Sequence, residues 1–304
     1  MAFIKNMDCD EIISGYLVSS TMKKGWNRYI EIWQELDRIC RKHDIPYWAG
    51  YGTLLGAVRH GGFIPWDTDM DFCMMRPDYD RFLQIVEGEL IQSGGVFEIK
   101  MKDFDASKIA HSQTTSISKS SLKKNKVHGM SIDIFALDID NDSTPEGFFA
   151  YNALNELMGT IFNFPAVVAH IKNGGKTVND WQVIERLHAI ADRDKQYEFV
   201  HAYASALFNQ SSKVAWIGNS ILKMHKAPFQ KNWFRETVYL PFETVKLPAP
   251  IDYEKILTAR YGDWHKHIRD FSHTLDGTIF SADIPWREFL AQADLNLVFP
   301  KKTT

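Results

Sequence analysis

Two acids, Asp69 and Asp71, stand two positions apart in the run Asp67-Thr-Asp-Met-Asp-Phe72, where acidic and apolar residues alternate. On a β-strand that alternation sends Asp69 and Asp71 to one face and Met70 and Phe72 to the other. Two residues span roughly 6.5 Å along a strand, which lets both carboxylates grip one divalent cation, or a metal pair about 3.5–4 Å apart. Carboxylate oxygens suit Mg²⁺, which takes one or two protein carboxylates and completes its shell with substrate phosphates; Mn²⁺ is the alternative ion. A solvated acidic face is the blander reading, but adjacent like charges on a strand repel one another, and a cation relieves that repulsion.

Upstream, Gly52-Thr53 falls at a strand-to-helix junction. Free backbone N–H groups and a hydroxyl at a positive helix end form a phosphate-receiving geometry. Alone the dipeptide is a weak signal; acid-x-acid some sixteen positions later strengthens it. Arg59 and His60 close the same helix and are candidate phosphate or leaving-group contacts. For Arg59, compensation of the helix C-terminal dipole is an equal reading. Downstream, Ser131-Ile-Asp-Ile-Phe135 sets Asp133 alone between apolar residues. An acid so flanked needs a partner or a cation. It reads as a third carboxylate aimed at the same site, ligating metal or accepting a proton, or else as a structural Asp capping backbone amides. Asp138 reads as a turn residue.

The spacing of Trp26, Tyr29, Ile30, Trp33, Leu36, Ile39 and Cys40 predicts an amphipathic helix over 22–44 that stops near Pro46. A short strand over 47–49, a helix over 53–60 and a strand over 69–75 follow. Pro77 opens a helix, as proline at a first helical position does. Strands are expected at 96–101, 109–118 and 130–135, with the Lys-rich run 119–126 as a hairpin loop. Helices are expected at 146–172, 180–192, 194–209 and 251–261, and a Pro-rich extended stretch at 239–250. The expected fold is α+β: a mixed sheet with flanking helices, then a mostly helical C-terminal half. The expected boundary divides a catalytic core, 1–145, from a substrate-specificity region, 146–304.

The chain of 304 residues is 45% hydrophobic and 24% charged, with a net charge of −3. Disordered, collagen-like and coiled-coil classes are excluded, and the near-neutral charge speaks against a nucleic-acid partner. Three scattered cysteines, Cys9, Cys40 and Cys73, give neither a disulfide framework nor a zinc spacing and favour a reducing compartment. No secretory signal and no spanning segment are expected. The expected location is cytoplasmic, with peripheral attachment at the inner membrane face as a variant.

The pattern Gly-Thr, acid-x-acid, then a distant acid on a strand is that of the nucleotidyltransferase fold. The longer runs go further. Tyr51-Gly-Thr-Leu-Leu-Gly-Ala-Val-Arg-His-Gly-Gly-Phe-Ile-Pro-Trp-Asp-Thr-Asp-Met-Asp71 and Ile132-Asp-Ile-Phe-Ala-Leu-Asp138 closely resemble the LicD/fukutin family. So does a C-terminal block comprising Leu240-Pro-Phe-Glu243, Leu247-Pro-Ala-Pro250, Asp252-Tyr253 and Tyr261-Gly-Asp-Trp264. Thr68 and Ala136 depart from the family pattern, but neither is a proposed metal ligand.

The resemblance implies a metal-dependent transferase that moves a phospho-alcohol from a cytidine diphosphate donor to a sugar hydroxyl, with CMP leaving. Asp69, Asp71 and Asp133 are the implied catalytic and metal residues. Gly52, Thr53, Arg59, His60 and Trp66 are the implied donor contacts. Bacterial members place phosphocholine on surface glycans such as lipopolysaccharide or teichoic acid; animal members transfer ribitol phosphate. The absence of an anchor makes the bacterial kind, with CDP-choline as donor and a lipid-linked glycan among its acceptors, the expected one. A quaternary ammonium binds over aromatic faces, so Trp48, Trp66, Trp216, Trp233 and Trp264 are candidates for a choline box or for core packing. The Lys119–Lys126 run reads as a phosphate contact or a solvated loop. Two rival chemistries share the metal site: nucleotidyl transfer with pyrophosphate leaving, and D-x-D glycosyl transfer.

Overall fold

The computed structural model describes residues 4–102, 106–118, 122, 127–161, 179, 181–216, 228–268 and 278–293. A small hairpin, β1 (Glu11–Ile13) and β2 (Tyr16–Val18), precedes helix α1 (Ser20–Lys42). The hydroxyl of Ser19 caps α1 by accepting from the N–H of Met22 at 3.2 Å, and Arg41 and Lys42 fill its last turn, where cations suit the dipole. The apolar stripe predicted for this helix is its buried face. Strand β3 (Trp48–Ala49), helix α2 (Tyr51–His60), strand β4 (Asp71–Met75) and helix α3 (Arg76–Ile91) follow.

Next come β5 (Phe97–Lys102), β6 (Ala106–His111), β7 (Thr115–Ser118) and the long β8 (Met130–Asp140). Helices α4 (Pro145–Ile161), α5 (Trp181–Ala189) and α6 (Arg193–Leu207) lead to β9 (Lys213–Trp216) and β10 (Phe229–Gln230). Strands β11 (Thr237–Phe242) and β12 (Val245–Pro250) form a hairpin. Helix α7 (Tyr253–Tyr261), β13 (Thr278–Ser281) and helix α8 (Trp286–Gln292) complete the described elements.

Among the described residues the main sheet has seven strands, and β8 is its axis. β4 runs parallel to β8; β6 and β9 pair with it antiparallel, at 130–135 and 137–140 respectively. β3 lies beyond β4, β5 beyond β6 and β10 beyond β9. This is the expected α+β class, with a mixed sheet, and no described helix is long and apolar enough to cross a membrane.

The main core draws on residues from Ile4 to Leu257, so the hairpin β11–β12 and helix α7 pack into it. A second core joins Ile139 to α4, α5 and α6 through Leu154, Leu157, Ile184, Leu187, Val200 and Leu207. Burying each such side chain is worth about 1.5–3 kcal/mol relative to leaving it exposed. An ion-pair network ties α3 to the sheet, and His201 and Ser205, both bonded to Asp80, join α6 to it. Fully buried Arg76 donates to both carboxylate oxygens of Asp138, at 2.6 and 2.7 Å, and to Asp80 at 3.2 Å. Asp138 is therefore not the expected turn residue: it lies inside β8, where a guanidinium fork compensates its desolvation.

Other expectations shift at their edges. The strand expected at 109–118 breaks after His111, where Thr114 turns the chain by donating its hydroxyl to the His111 carbonyl at 2.8 Å. β7 then pairs with β13 rather than with β8. The stretch 239–250 is extended as expected, as parts of both hairpin strands. The end of the helix expected to reach 172, and nearly all of the Lys119–Lys126 run, lie outside the described residues.

Candidate active site

The strand expected over 69–75 begins only at Asp71. Residues 64–70 form an ordered approach to it: the N–H of Asp67 turns back on the Ile64 carbonyl at 2.8 Å, and Trp26 Nε1 donates to the Asp67 carbonyl at 2.9 Å. These bonds hold 67–70 out of the regular ladder, yet Asp67, Asp69 and Asp71 still share one cleft.

Asp71 is fixed through its backbone from the α2 turn. Its carbonyl accepts from the N–H of Gly50 at 2.9 Å, and its N–H donates to the Thr53 hydroxyl at 2.8 Å. The N–H of Asp133 donates to the Met70 carbonyl at 2.9 Å. The parallel register sets Asp133 directly opposite Asp71, so the distant third acid arrives beside the first two through strand pairing.

These side chains line a cavity of about 500 Å³. Its floor is Asp67, Asp69, Asp71 and Asp133. Its walls are aromatic and basic: Tyr51, Trp66, Phe135, Trp216, Tyr261 and Trp264, with Arg59, Arg260 and Lys266. Tyr51 holds a φ of +44°, uncommon for a residue with a side chain. Its ring packs edge-on against Phe135, with centroids 5.3 Å apart, and against Trp216 at 6.1 Å, and the Arg260 guanidinium lies over it at 5.2 Å. The strained backbone thus presents an aromatic face to the cleft.

Burial pushes the Asp71 carboxyl well above the usual carboxylate range, and the charges of Asp69, Asp133 and Asp67 push it further. Asp133 is raised too, by burial, although Lys108 beside it acts in the opposite direction. Carboxyls that raise one another in this way fit a cation. Among the described residues, no group of three His, Cys, Asp or Glu side chains makes a ready metal cage. The Asp69 and Asp71 pair could hold an ion such as Mg²⁺ with ligand oxygens completing its shell.

The expected site residues divide into those on the cavity wall and those behind it. Gly52, Arg59, Trp66, Asp69, Asp71 and Asp133 line it. Thr53 is buried behind it, with its hydroxyl engaged by Asp71 rather than turned outward. Gly52 faces an acid instead of open space: a Cβ there would stand 2.5 Å from Asp67 Oδ2. Arg59 donates to the carbonyls of Trp264 and Lys266, at 3.1 and 3.0 Å, and so holds the turn that closes one wall. His60 lies off the wall, its ring 5.2 Å from that of His267. Burial, with Arg59 and His267 nearby, lowers its pKa to about 4.

Of the tryptophans, Trp66, Trp216 and Trp264 face the cavity. Trp48 is buried and donates to the Thr237 hydroxyl at 2.9 Å, and Trp233 packs beside Phe229. Sequence reasoning did not single out Asp67, Tyr51, Arg260 or Lys266 on the floor and walls, nor Lys108 beside Asp133. Asp67 carried a signal, as the first acid of an evenly spaced triplet. Lys108 carried none, since only the sheet register sets it opposite Asp133.

A strand-to-helix turn clamped to the first of two acid-bearing adjacent strands of a mixed sheet, with an open cleft above the acids, is the arrangement of a nucleotidyltransferase-type domain. Residues 44–166 match the nucleotidyltransferase domain of the LicD, FKTN and FKRP family. The lipopolysaccharide cholinephosphotransferase LicD of Haemophilus influenzae is 51% identical over 47 residues, 16% of this chain and 18% of that protein. Uncharacterized proteins of Rickettsia prowazekii (RP689) and Rickettsia typhi (RT0683) are each 39% identical over 77 residues, 25% of this chain. Those matches span 28% and 24% of the rickettsial proteins.

Proposed function

We propose that the protein is a metal-dependent transferase that moves phosphocholine, or a related phospho-alcohol, from a CDP-activated donor to a sugar hydroxyl of a cell-surface glycan. The observation that carries this reading is the union in one cavity of a carboxylate floor with an aromatic and basic wall. The family match of residues 44–166 and the likeness to the Haemophilus lipopolysaccharide cholinephosphotransferase support it.

In this reading the acceptor hydroxyl attacks the phosphorus nearer the choline. The new O–P bond forms as the bridging P–O bond breaks, and CMP departs. Asp133 takes the hydroxyl proton. Arg260 and Lys266 draw the diphosphate onto the wall, and Tyr51, Trp66 and Trp216 offer π-faces to the quaternary ammonium. A Mg²⁺ or Mn²⁺ ion on Asp69 and Asp71 supplies neutralisation of the diphosphate and of the leaving oxygen. The region 146–304 contributes Trp216 and the wall from Arg260 to Ile268, and with them the choice of alcohol and acceptor. The site of action is the cytoplasmic side of the inner membrane, on a lipid-linked glycan.

The test is mass spectrometry of products after incubation with CDP-choline, CDP-ribitol or CDP-glycerol in turn, with Mg²⁺ and a lipopolysaccharide glycan. CMP together with a phosphocholine-bearing glycan is expected. Pyrophosphate from a nucleoside triphosphate, or consumption of a nucleotide sugar, would replace this reading with one of its rivals.

A further inference from the structure

The acid run from Asp67 to Asp71 meets the first turn of α2 at both of its ends. At the far end, the Asp71 N–H donates to the Thr53 hydroxyl at 2.8 Å, and the Asp71 carbonyl accepts from the Gly50 N–H at 2.9 Å. At the near end, Oδ2 of Asp67 lies over Gly52, 2.5 Å from the place a Cβ would take. Asp69 stands between these two anchors.

The Asp67 backbone is held from the other side. Its N–H donates to the Ile64 carbonyl at 2.8 Å, and its carbonyl accepts from Trp26 Nε1 of α1 at 2.9 Å. Oδ1 accepts from the N–H of Thr68 at 3.0 Å, which leaves Oδ2 as the oxygen over α2. The N-cap of α2 is Gly50, which has no side chain to cap the helix. A carboxylate near a helix start suits the positive end of the dipole. The Gly-Thr pair that the sequence offers to a phosphate is thus turned towards the chain's own acids, Gly52 to Asp67 and Thr53 to Asp71. Glycine at 52 is what lets the carboxylate approach, because a side chain there would meet it.

We propose that Asp67 is a positioning residue for the acid floor. Seated on Gly52, it holds the near end of the run on α2 and so sets where Asp69 and Asp71 stand in the cavity. This rests on the metal-dependent reading of the site and adds to it a residue that acts through its neighbours. Supports of this kind behind metal-binding side chains are commonly worth about 10–100-fold in metal affinity.

The test measures Mn²⁺ affinity of the full chain by electron paramagnetic resonance titration, without donor or glycan, beside urea denaturation without metal. Gly52→Ala keeps every acid and displaces the Asp67 carboxylate. It is expected to lower the urea midpoint and to weaken Mn²⁺ binding by about tenfold. Asp67→Ala should weaken binding at least as much. Asp67→Asn, which keeps the shape and loses the charge, should weaken it less than Asp67→Ala. In the Asp67→Ala background, Gly52→Ala should weaken binding no further and lower the urea midpoint less, because the contact it disturbs is already gone. Wild-type affinity in Gly52→Ala, equal affinities in Asp67→Asn and Asp67→Ala, or losses that add in the double variant would overturn the proposal. The first two results are those of a charge acting at a distance. If Gly52→Ala does not fold, the comparison of Asp67→Asn with Asp67→Ala decides. No Mn²⁺ uptake by the wild type would overturn both this proposal and the metal-dependent reading. Mn²⁺ binding with the coupling intact, but no transfer from any CDP-alcohol, would overturn the functional reading alone.

Discussion

The Thr53 hydroxyl accepts a 2.8 Å hydrogen bond from the backbone N–H of Asp71, eighteen residues further along the chain. With the Gly50 N–H on the Asp71 carbonyl, it clamps the start of β4 to the first turn of α2. The motif's Gly-Thr and its acids are thus coupled mechanically.

Thr53→Val keeps the shape and removes that acceptor. A buried N–H left unpaired costs about 1–3 kcal/mol, so the variant should unfold at lower urea, while Thr53→Ser stays close to wild type. Transfer should fall in the valine variant and recover in the serine variant. Equal stability of Val and Ser variants would show that the bond does not hold the strand.

A Cβ on Gly62 would stand closer to Oε1 of Glu243 than contact allows, so that carboxylate would have to move and give up its present place. Glu243 also accepts from the N–H of Phe63 at 3.1 Å, so the β11–β12 turn pins the loop that leads to Trp66 and Asp67. Gly62→Ala should cost about 1–3 kcal/mol through overpacking. Glu243→Ala should relieve that clash, making the double variant less destabilised than the sum of its singles. Additive losses in denaturant titrations would exclude the coupling.

Asp71 is an acid whose ionisation is opposed by burial and by three neighbouring acids. Asp71→Asn removes that opposition. In the absence of metal it should melt at or above the wild-type temperature at pH 8, while turnover falls by about 10³ or more as cation binding is lost. A variant that melts well below wild type would make Asp71 a structural acid. One that retains near wild-type turnover, or activity of the wild type in EDTA, would remove the metal from the mechanism.

His60 should be neutral at pH 7, since its pKa is lowered to about 4 from an ordinary 6.5. The unfolded chain then binds the proton more readily, so the stability gained by keeping the ring neutral is fully present above pH 6.5. It is lost as the pH falls from 6.5 towards 4. Denaturation at pH 7.5 and pH 5 should show this loss in wild type and a smaller one in His60→Gln. A ring that titrates near 6.5 by NMR would place His60 in a solvated setting.

The amino-acid order alone determined the features that repeat locally. The stripe of α1, the proline that opens α3 and the acids of the 67–71 run follow from side-chain period and chain stiffness. Asp133 was legible as a site candidate because an acid among apolar strand residues needs a partner nearby. What it faces was decided by register: Asp71 on one side and Lys108 on the other. Tertiary structure also drew Thr53 inward to serve the backbone and set Asp67 over Gly52. It gave Arg59 to the 264–266 turn and buried Asp138 under Arg76. Each of these depends on a partner some fifteen to more than two hundred residues away, brought near by strand pairing and core burial. Periodicity, which reports only a residue's own face, carries no information about who stands opposite.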